Sequence, residues 1–370
     1  MSSGKKIFQS ELIKKYGNLI GLITLIILTA FLTKGTFITP RNLINVLRQT
    51  SVNGILAVGM TLVILIGGID LSVGSVVALT GIFAALFQPL GTVPAIVLTV
   101  LIGAVIGGWN GFFVTKFKIP PFIITLGMMT IARGLALVFS GGQAISGLNE
   151  KFILISESYI SPTVFFSVLA FLTLIAAICF LRKMKNGQFK EGFKISPISA
   201  INAFFMLAAL TLISWLVIFR GLPMGAAIFF VIAMIGIYVL RRMRFGRYVY
   251  AVGGNEEAAR LSGINVKLIK FLVFTIMGVL AAVAGIVLTA RLNSGVPTSG
   301  VMFELDAIAS VVIGGTSLSG GHGSIGGSII GAFIIGTLNN GMQLLNIDSF
   351  YQEIVKGAII IGAVLLDRKK

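Results

Sequence analysis

A few charged and polar side chains interrupt the apolar stretches of this sequence, and these are its first candidates for chemistry. Asp70 and Ser72 lie in a break between two apolar runs, and Arg133 lies near the middle of another run. Thr316 and Ser317 follow a further apolar run. Ionisable groups in apolar segments are often functional, so these residues are candidates for a pathway or a gate. The structural alternative is that Asp70 caps the following helix.

The remaining intramembrane charges favour pairing over proton transfer. Glu353 and Lys356 are three residues apart in the last apolar run, so they are expected to pair on one helix face. Glu304 and Asp306 lie near the outer end of a short run. These few charges do not form the chain of acids and histidines that proton-coupled transport needs.

Metal, disulfide and nucleotide chemistry find little support in the sequence. Cys179 is the only cysteine and His322 the only histidine, so the chain has neither an internal disulfide nor a Cys/His metal cluster. Residues 321–326 match G-x-G-x-x-G but lack a βαβ context and the acid expected about 20 residues later. No G-x-x-x-x-G-K-[ST] pattern occurs. We therefore expect no cofactor on this chain, and any ATP must bind to a partner subunit.

Segment 241–270 contains the most detailed local pattern. Asn255 is a favourable helix N-cap, and Glu256 and Glu257 then fall in the first turn, where the helix dipole favours acids. Gly263 is a natural stop after the last turn. The pattern predicts a helix of about two turns in this loop.

The residues around this short helix suggest how it is used. Gly253 and Gly254 before it predict a flexible break. Ala258 and Ala259 would let the helix lie closely in a groove of a partner protein. An ordinary solvated loop is the alternative on these residues alone.

The amino-acid composition indicates the class of fold that must position these residues. Apolar residues make up 56% and charged residues 11% of the 370 residues, and the mean hydropathy is +1.02. These values exclude a soluble enzyme and a disordered chain. The sequence predicts an all-α fold, a polytopic membrane helical bundle formed by one transmembrane domain, residues 1–370.

Apolar runs predict about twelve membrane spans. The second run is expected to begin near Asn42, and the tenth is short enough for a half-helix. The runs are residues 17–33, 52–67, 73–87, 93–115, 122–139, 162–181, 198–219, 223–240, 268–290, 305–315, 325–345 and 352–366.

The net charge of +17 reflects orientation in the membrane. Most lysines and arginines fall in segments that are cytoplasmic if the span number is even and both termini are cytoplasmic. Segment 241–270 is then the longest cytoplasmic loop. The basic residues are thus expected to contact lipid headgroups of the bilayer, and no nucleic acid.

Glycine spacing predicts close helix packing. Gly103, Gly107 and Gly111 recur every four residues, and Gly323, 327 and 331 do the same. Such stripes allow two backbones to approach closely. Residues 67–75 and 314–321 also resemble each other, which suggests an internal duplication of the kind found in transporters.

Four segments resemble one known family. The segment at 246–266, GRYVYAVGGNEEAARLSGINV, is similar to the loop motif of permease subunits in ribose/xylose/galactose-type bacterial ABC sugar importers. Residues 67–75 (GGIDLSVGS), 304–309 (ELDAIA) and 314–321 (GGTSLSGG) agree with the same family. The resemblance covers about residues 39–142 and 224–367.

The resemblance implies a set of partners and roles. It implies a multi-pass subunit of the bacterial cytoplasmic (inner) membrane, a homodimer of permeases, a cytoplasmic ATP-binding subunit and an extracytoplasmic sugar-binding protein. Segment 241–270 would be the cytoplasmic coupling loop. The residues implied to dock on the ATP-binding subunit are Gly253, Gly254, Asn255, Glu256, Ala258, Ala259, Ser262 and Gly263.

The resemblance implies a ten-span core with a two-span insert at residues 150–222, and this insert bears on the substrate. Two extra spans joined by the basic loop 182–194 depart from the ribose-type pattern and resemble xylose-type and multiple-monosaccharide permeases. This favours D-xylose or several related sugars. The rival interpretations are an ion-coupled secondary sugar transporter, a membrane enzyme and a structural or sensor module. For the enzyme, no clustered acid, base or metal site is visible in the sequence.

Overall fold

The computed structural model describes residues 2–171, 173 and 210–367. These residues are mostly α-helical, which confirms the predicted class. They form two compact units, Met1–Glu157 with Gly225–Lys370, and Ser158–Met224. The second unit overlaps most of the predicted insert at 150–222, but the basic loop 182–194 and Cys179 lie outside the described residues. The role of the insert stays a prediction.

Helices form nearly all of the regular structure in the described residues. Pairs of two-residue strands add two short antiparallel ladders, β1 (Ile145–Ser146) with β4 (Ser294–Gly295) and β2 (Tyr159–Ile160) with β3 (Leu222–Pro223). The helices are α1 Ser2–Leu32, α2 Pro40–Leu65, α3 Val73–Leu86, α4 Thr92–Lys116, α5 Pro121–Ser140, α6 Glu150–Glu157, α7 Pro162–Phe171, α8 Leu210–Arg220, α9 Met224–Arg242, α10 Arg244–Gly254, α11 Glu256–Leu261, α12 Val266–Leu292, α13 Phe303–Ile313, α14 Ile325–Leu344 and α15 Ser349–Asp367.

Six of these helices are long and apolar enough to cross a membrane, counting only the part of the chain that is described. They are α2, α4, α5, α9, α12 and α14. With 14 and 11 residues, α3 and α13 are about 21 and 17 Å long, less than the ~30 Å hydrocarbon core. The predicted half-helix is therefore present at α13, and α3, which was predicted as a full span, is also short.

α2 and α12 form the centre of the larger unit. The side chains of α2 from Thr50 to Leu65 are all buried, and α12 packs against α2, α3 and α4. By contrast, α4, α5 and α9 carry large exposed apolar side chains such as Val105, Val138 and Tyr238. Apolar side chains at these positions suit contact with lipid.

The predicted glycine stripe on α4 lies against α12. A Cβ on Gly107 would overlap the carbonyl of Phe274, and one on Gly278 would overlap the carbonyl of Gly103. The two backbones therefore approach as closely as glycine permits, which confirms the packing interpretation.

The second stripe is confirmed in part. Gly327 and Gly331 on α14 pack against the backbone of Gly314 and Ser310. Gly323 does not belong to the stripe, because α14 begins only at Ile325 and Gly323 has a φ of +149° in the preceding loop.

Candidate functional site

The segment between α9 and α12 folds into two helices. α10 ends at Gly254, so the predicted flexible break at Gly253 and Gly254 is wrong. Gly253 is held by packing, because a Cβ there would overlap the carbonyl oxygen of Leu65 and lie 2.7 Å from the Gly321 nitrogen. Gly254 ends the helix in open space, with no atom within 4 Å of the position of a Cβ.

The predicted two-turn helix is α11. The Asn255 side chain accepts a hydrogen bond from the Ala258 N–H at 2.9 Å, which is the N-cap expected from the sequence. Gly263 has a φ of +81°, and the N–H of Ile264 donates to the Ala259 carbonyl at 3.1 Å. This left-handed closure ends the helix where predicted.

The charged side chains of α11 form two ion pairs. Glu256 accepts from Lys270 of α12 at 2.6 Å, and Glu257 accepts from Arg260 at 2.6 Å. The hydrogen bond from Arg260 to Glu257 raises the pKa of the Arg260 guanidinium. The Glu256–Lys270 pair attaches α11 to the start of a long central helix.

α11 presents only part of its surface to solvent. Ala258 is exposed and Leu261 is 79% exposed. These two side chains lie one turn apart and form an apolar patch on the outer face of α11. Ala259 is 4% exposed and packs into the core, so only one of the two alanines is available to a partner. Asn255, Glu256, Ser262 and Gly263 are exposed as well.

A cleft of about 590 Å³ lies beside α11. Its walls come from the α4–α5 connection, from α11 and from the first turns of α12. The lining includes three lysines, an arginine and two glutamates, namely Lys118, Lys267, Lys270, Arg260, Glu256 and Glu257. The basic α4–α5 connection thus lies at the same end of the bundle as α11.

Two non-helical breaks meet beneath α10. One break follows α2 and the other precedes α14, and the N–H of Gly321 donates to the Leu65 carbonyl at 2.9 Å. Gly67 and Gly320 adopt positive φ values of 75° and 85° at this junction. The two segments that resemble each other in sequence, 67–75 and 314–321, therefore lie in contact. Gly253 packs against Leu65, two residues before the first segment, and against Gly321 at the end of the second.

Tyr250 forms a second link between α10 and the break before α14. Its hydroxyl donates to the carbonyl of Gly323 at 2.9 Å. Burial raises the pKa of Tyr250, with the charge of Arg241 acting in the opposite direction, so the phenol stays a donor at neutral pH. The sequence carries no signal for this role of Tyr250, because Tyr248 and Tyr250 follow no pattern that tells which of them meets a distant backbone carbonyl.

Asp70 and Ser72 organise the break after α2. Asp70 is 2% exposed and accepts from the Ser72 N–H at 2.9 Å and from the Ser72 hydroxyl at 2.6 Å. Asn110 of α4 donates to the Ser72 hydroxyl at 3.2 Å. Asp70 thus fixes the turn just before α3, but it does not cap the helix, because Ser72 is the N-cap residue and no side chain caps the first turn.

The Arg133 side chain links α5 to the segment before α13 by hydrogen bonds. One guanidinium nitrogen donates to the carbonyls of Pro297 at 2.6 Å and Ser299 at 2.8 Å. These contacts give the residue a structural role in this conformation. Its use in a gate stays a prediction.

Thr316 and Ser317 lie in the break before α14. Thr316 is 1% exposed, and its hydroxyl lacks a hydrogen-bond partner in the described structure. The Ser317 hydroxyl lies 2.9 Å from that of Ser319, and His322 is exposed. Among the described residues, no group of three or more His, Cys, Asp or Glu side chains is placed to hold a metal ion.

The buried Asp306 forms an ion pair with the partly buried Lys356, which the sequence did not predict. Lys356 Nζ lies 3.0 Å from Asp306 Oδ1, whereas Glu353 is exposed, so the expected Glu353–Lys356 pair is wrong. Glu353 and Lys356 share a helix face. However, α15 packs against α13, and this packing places Lys356 next to Asp306. Tertiary packing, which spacing alone does not encode, decided the pairing.

Comparisons with known proteins agree on one family. Residues 42–364 match the family model described as branched-chain amino acid transport system / permease component. The xylose transport system permease protein XylH of Haemophilus influenzae is 40% identical over 94% of this chain and 94% of its own length. The ribose import permease protein RbsC of Bacillus subtilis is 42% identical over 99% and 96%. The Escherichia coli RbsC is 41% identical over 100% and 98%. No solved structure matches the chain.

Proposed function

The chain belongs to the family of branched-chain amino acid transport system permease components, and on that premise we propose that it is the membrane-spanning subunit of an ATP-driven monosaccharide importer. Relatives named as xylose and ribose permeases align over nearly its whole length. The observation that carries the proposal is the capped, exposed helix α11 on a chain that lacks a P-loop motif of its own.

α11 is the proposed contact with the ATP-binding subunit. Its outer face combines Ala258 and Leu261 with the exposed charges of Glu257 and Arg260, so a groove on a partner would bury an apolar patch within a polar rim. The adjacent cleft, with its mixed charges, offers space for a segment of the same partner. ATP is bound and hydrolysed on that subunit.

α10 is the proposed transmission element. Gly253 and Tyr250 connect it to both breaks in the membrane helices, and Glu256 connects α11 to α12. A movement of α11 is therefore passed to the ends of α2, α14 and α12 together. Alternating access would follow from the closing and opening of the paired breaks.

The other partners are proposed on the basis of the family to which the chain belongs. The importer is proposed to contain two copies of this chain and to receive sugar from an extracytoplasmic binding protein. Both termini are proposed to be cytoplasmic, with about twelve helical segments in the membrane. No bond of the sugar is broken by this chain.

D-xylose, or a set of related monosaccharides, is the proposed substrate. The identities of 40% and 42% to xylose and ribose permeases are nearly equal and favour neither sugar. The choice of xylose rests on the predicted insert at 150–222, which resembles xylose-type permeases.

The test of the docking role is an acidic substitution on α11. Leu261→Glu changes a side chain that is 79% exposed, so the fold is expected to persist. We expect this variant to lose co-purification with the co-encoded ATP-binding subunit and ATP-dependent uptake. Met243→Glu, at a 46% exposed position before α10, is the matched control and should retain both.

Two outcomes would overturn the proposal. If Leu261→Glu binds the ATP-binding subunit and transports sugar as the unmodified chain does, α11 is not the contact. If the purified chain alone accumulates sugar in vesicles with an ion gradient and no ATP, it is a secondary carrier.

A further inference from the structure

A polar cluster with a buried centre joins four helices of the larger unit. At its centre, Asp306 of α13 is 2% exposed. Its Oδ2 accepts from Asn53 of α2 and Asn339 of α14, each at 3.2 Å, and from Lys356 of α15, also at 3.2 Å. We call Asn53, Asp306, Asn339 and Lys356 the Asp306 cluster. Four side chains converging from α2, α13, α14 and α15 are unusual in so apolar a chain.

The Asp306 cluster leaves two acceptors unused. The amide oxygens of Asn53 and Asn339 are buried and have no hydrogen-bond partner in the described structure. The hydroxyl of Thr50, one turn before Asn53 on α2, is also buried and unpartnered. Buried polar atoms without partners are costly and rare, so these atoms point to a ligand that supplies donors.

The cluster lies within a longer line of polar contacts between α2 and α14. Asn42 donates to Asn340 at 2.8 Å, and Thr61 donates to Ser328 at 2.8 Å further along α2. The line leads from the first turn of α2 towards the junction at Leu65 and Gly321. It connects the end of the bundle opposite α11 with the breaks that α10 contacts.

We propose that the Asp306 cluster contacts the hydroxyl groups of the transported monosaccharide. The inference rests on the proposed function and assigns the sugar a place within it. A sugar hydroxyl both donates and accepts, so one hydroxyl donates to a free amide oxygen and accepts from a neighbouring N–H. The amides, the carboxylate and the ammonium group together suit a neutral polyol, because they offer donors and acceptors within one small region.

The experiment measures sugar transported per ATP hydrolysed. The complete importer, with its ATP-binding subunit and its binding protein saturated with xylose, is reconstituted in vesicles. Asn53→Ala and Asn339→Ala each remove one free acceptor while leaving the Asp306–Lys356 pair. We expect sugar per ATP to fall about fivefold, the effect of one net hydrogen bond, while the binding protein still stimulates ATP hydrolysis.

This ratio separates sugar contact from a loss of folded protein, which lowers both rates equally. Thr99→Val is the matched control, since it removes a buried hydroxyl without a hydrogen-bond partner on α4, outside the line of polar contacts. It should leave the ratio unchanged. An unchanged ratio in Asn53→Ala and Asn339→Ala, or an equal fall in Thr99→Val, would overturn the inference. Absence of ATP-dependent uptake by the unmodified importer would instead reject the proposed function.

Discussion

The side chain of Asn255 stabilises the short helix α11 and thereby its exposed face. α11 has only six residues, which is too short for a helix to persist without stabilising ends. Its first turn is closed by the Asn255 side chain and its last by Gly263 in the left-handed conformation. The two ends, more than the six residues between them, keep Ala258 and Leu261 in a fixed orientation.

The residue-scale prediction concerns this cap. Asn255→Ala should cost about 1 kcal/mol of helix stability and reduce binding of the ATP-binding subunit roughly fivefold. The measurement is affinity by co-purification or titration in detergent. Asn255→Asp, which keeps the acceptor, should restore binding.

Asn265→Ala is the control for this prediction. Asn265 caps α12 in the same way, accepting from the Leu268 N–H at 3.1 Å. α12 is held by packing along 27 residues, so loss of that cap should leave subunit binding nearly unchanged. Equal losses in both variants would show that the cap of α11 has no special role.

At the scale of elements, α10 connects α11, the proposed contact with the ATP-binding subunit, to the ends of the long helices. Its last turn can reach the Leu65 carbonyl only because residue 253 has no side chain. Tyr250 adds a hydrogen bond to the neighbouring break. Because α10 contacts backbone atoms at Leu65 and at Gly323, we expect α10 and the two breaks to move together.

Gly253→Ala and Gly254→Ala form a matched pair for the element scale. A Cβ at residue 253 meets backbone, which must shift, whereas a Cβ at 254 meets nothing within 4 Å. We expect Gly253→Ala to lower the melting temperature and to reduce uptake per ATP hydrolysed. Gly254→Ala should resemble the unmodified protein in both measurements. The transmission role fails if Gly253→Ala hydrolyses ATP and transports sugar with normal coupling.

At the largest scale, contacts within the larger unit define two ends of its helical bundle. The end of α4, the start of α12 and helix α11 line the same cleft, so they lie at one end. The Asp306 cluster is separated from that end by about half of α2, from Asn53 to Leu65, and by most of α14. This separation fits a pathway in which sugar meets polar groups at one side and the energy source acts at the other.

The whole-molecule prediction concerns orientation. Cys179 is the only native cysteine, so a Cys179→Ser background leaves an introduced thiol as the only target. Ala258→Cys on α11 should react with a membrane-impermeant maleimide only after cells are permeabilised. Val301→Cys, at a 58% exposed position between β4 and α13, should react in intact cells. Labelling of Ala258→Cys in intact cells would place α11 outside and remove the basis of the proposed function.

The amino-acid sequence alone determined the features that depend on neighbouring residues. Hydropathy located the six long apolar helices of the described residues, because about 20 apolar residues suffice for a span. The order Asn255, Glu256, Glu257 and Gly263 predicted α11 and its two ends, because caps act within one turn. The four-residue glycine period predicted close packing on α4, although its partner α12 was not identifiable from spacing.

Only the tertiary structure decided the relations between distant segments. The sequence predicted a flexible break at Gly253 and a Glu353–Lys356 pair, and both were wrong because a distant partner intervened: Leu65 in the first case and Asp306 in the second. The same holds for the contact of the two breaks, for Tyr250 with Gly323 and for the Asp306 cluster. Local patterns constrain the backbone over a few residues, whereas the choice among possible long-range partners depends on how the helices pack.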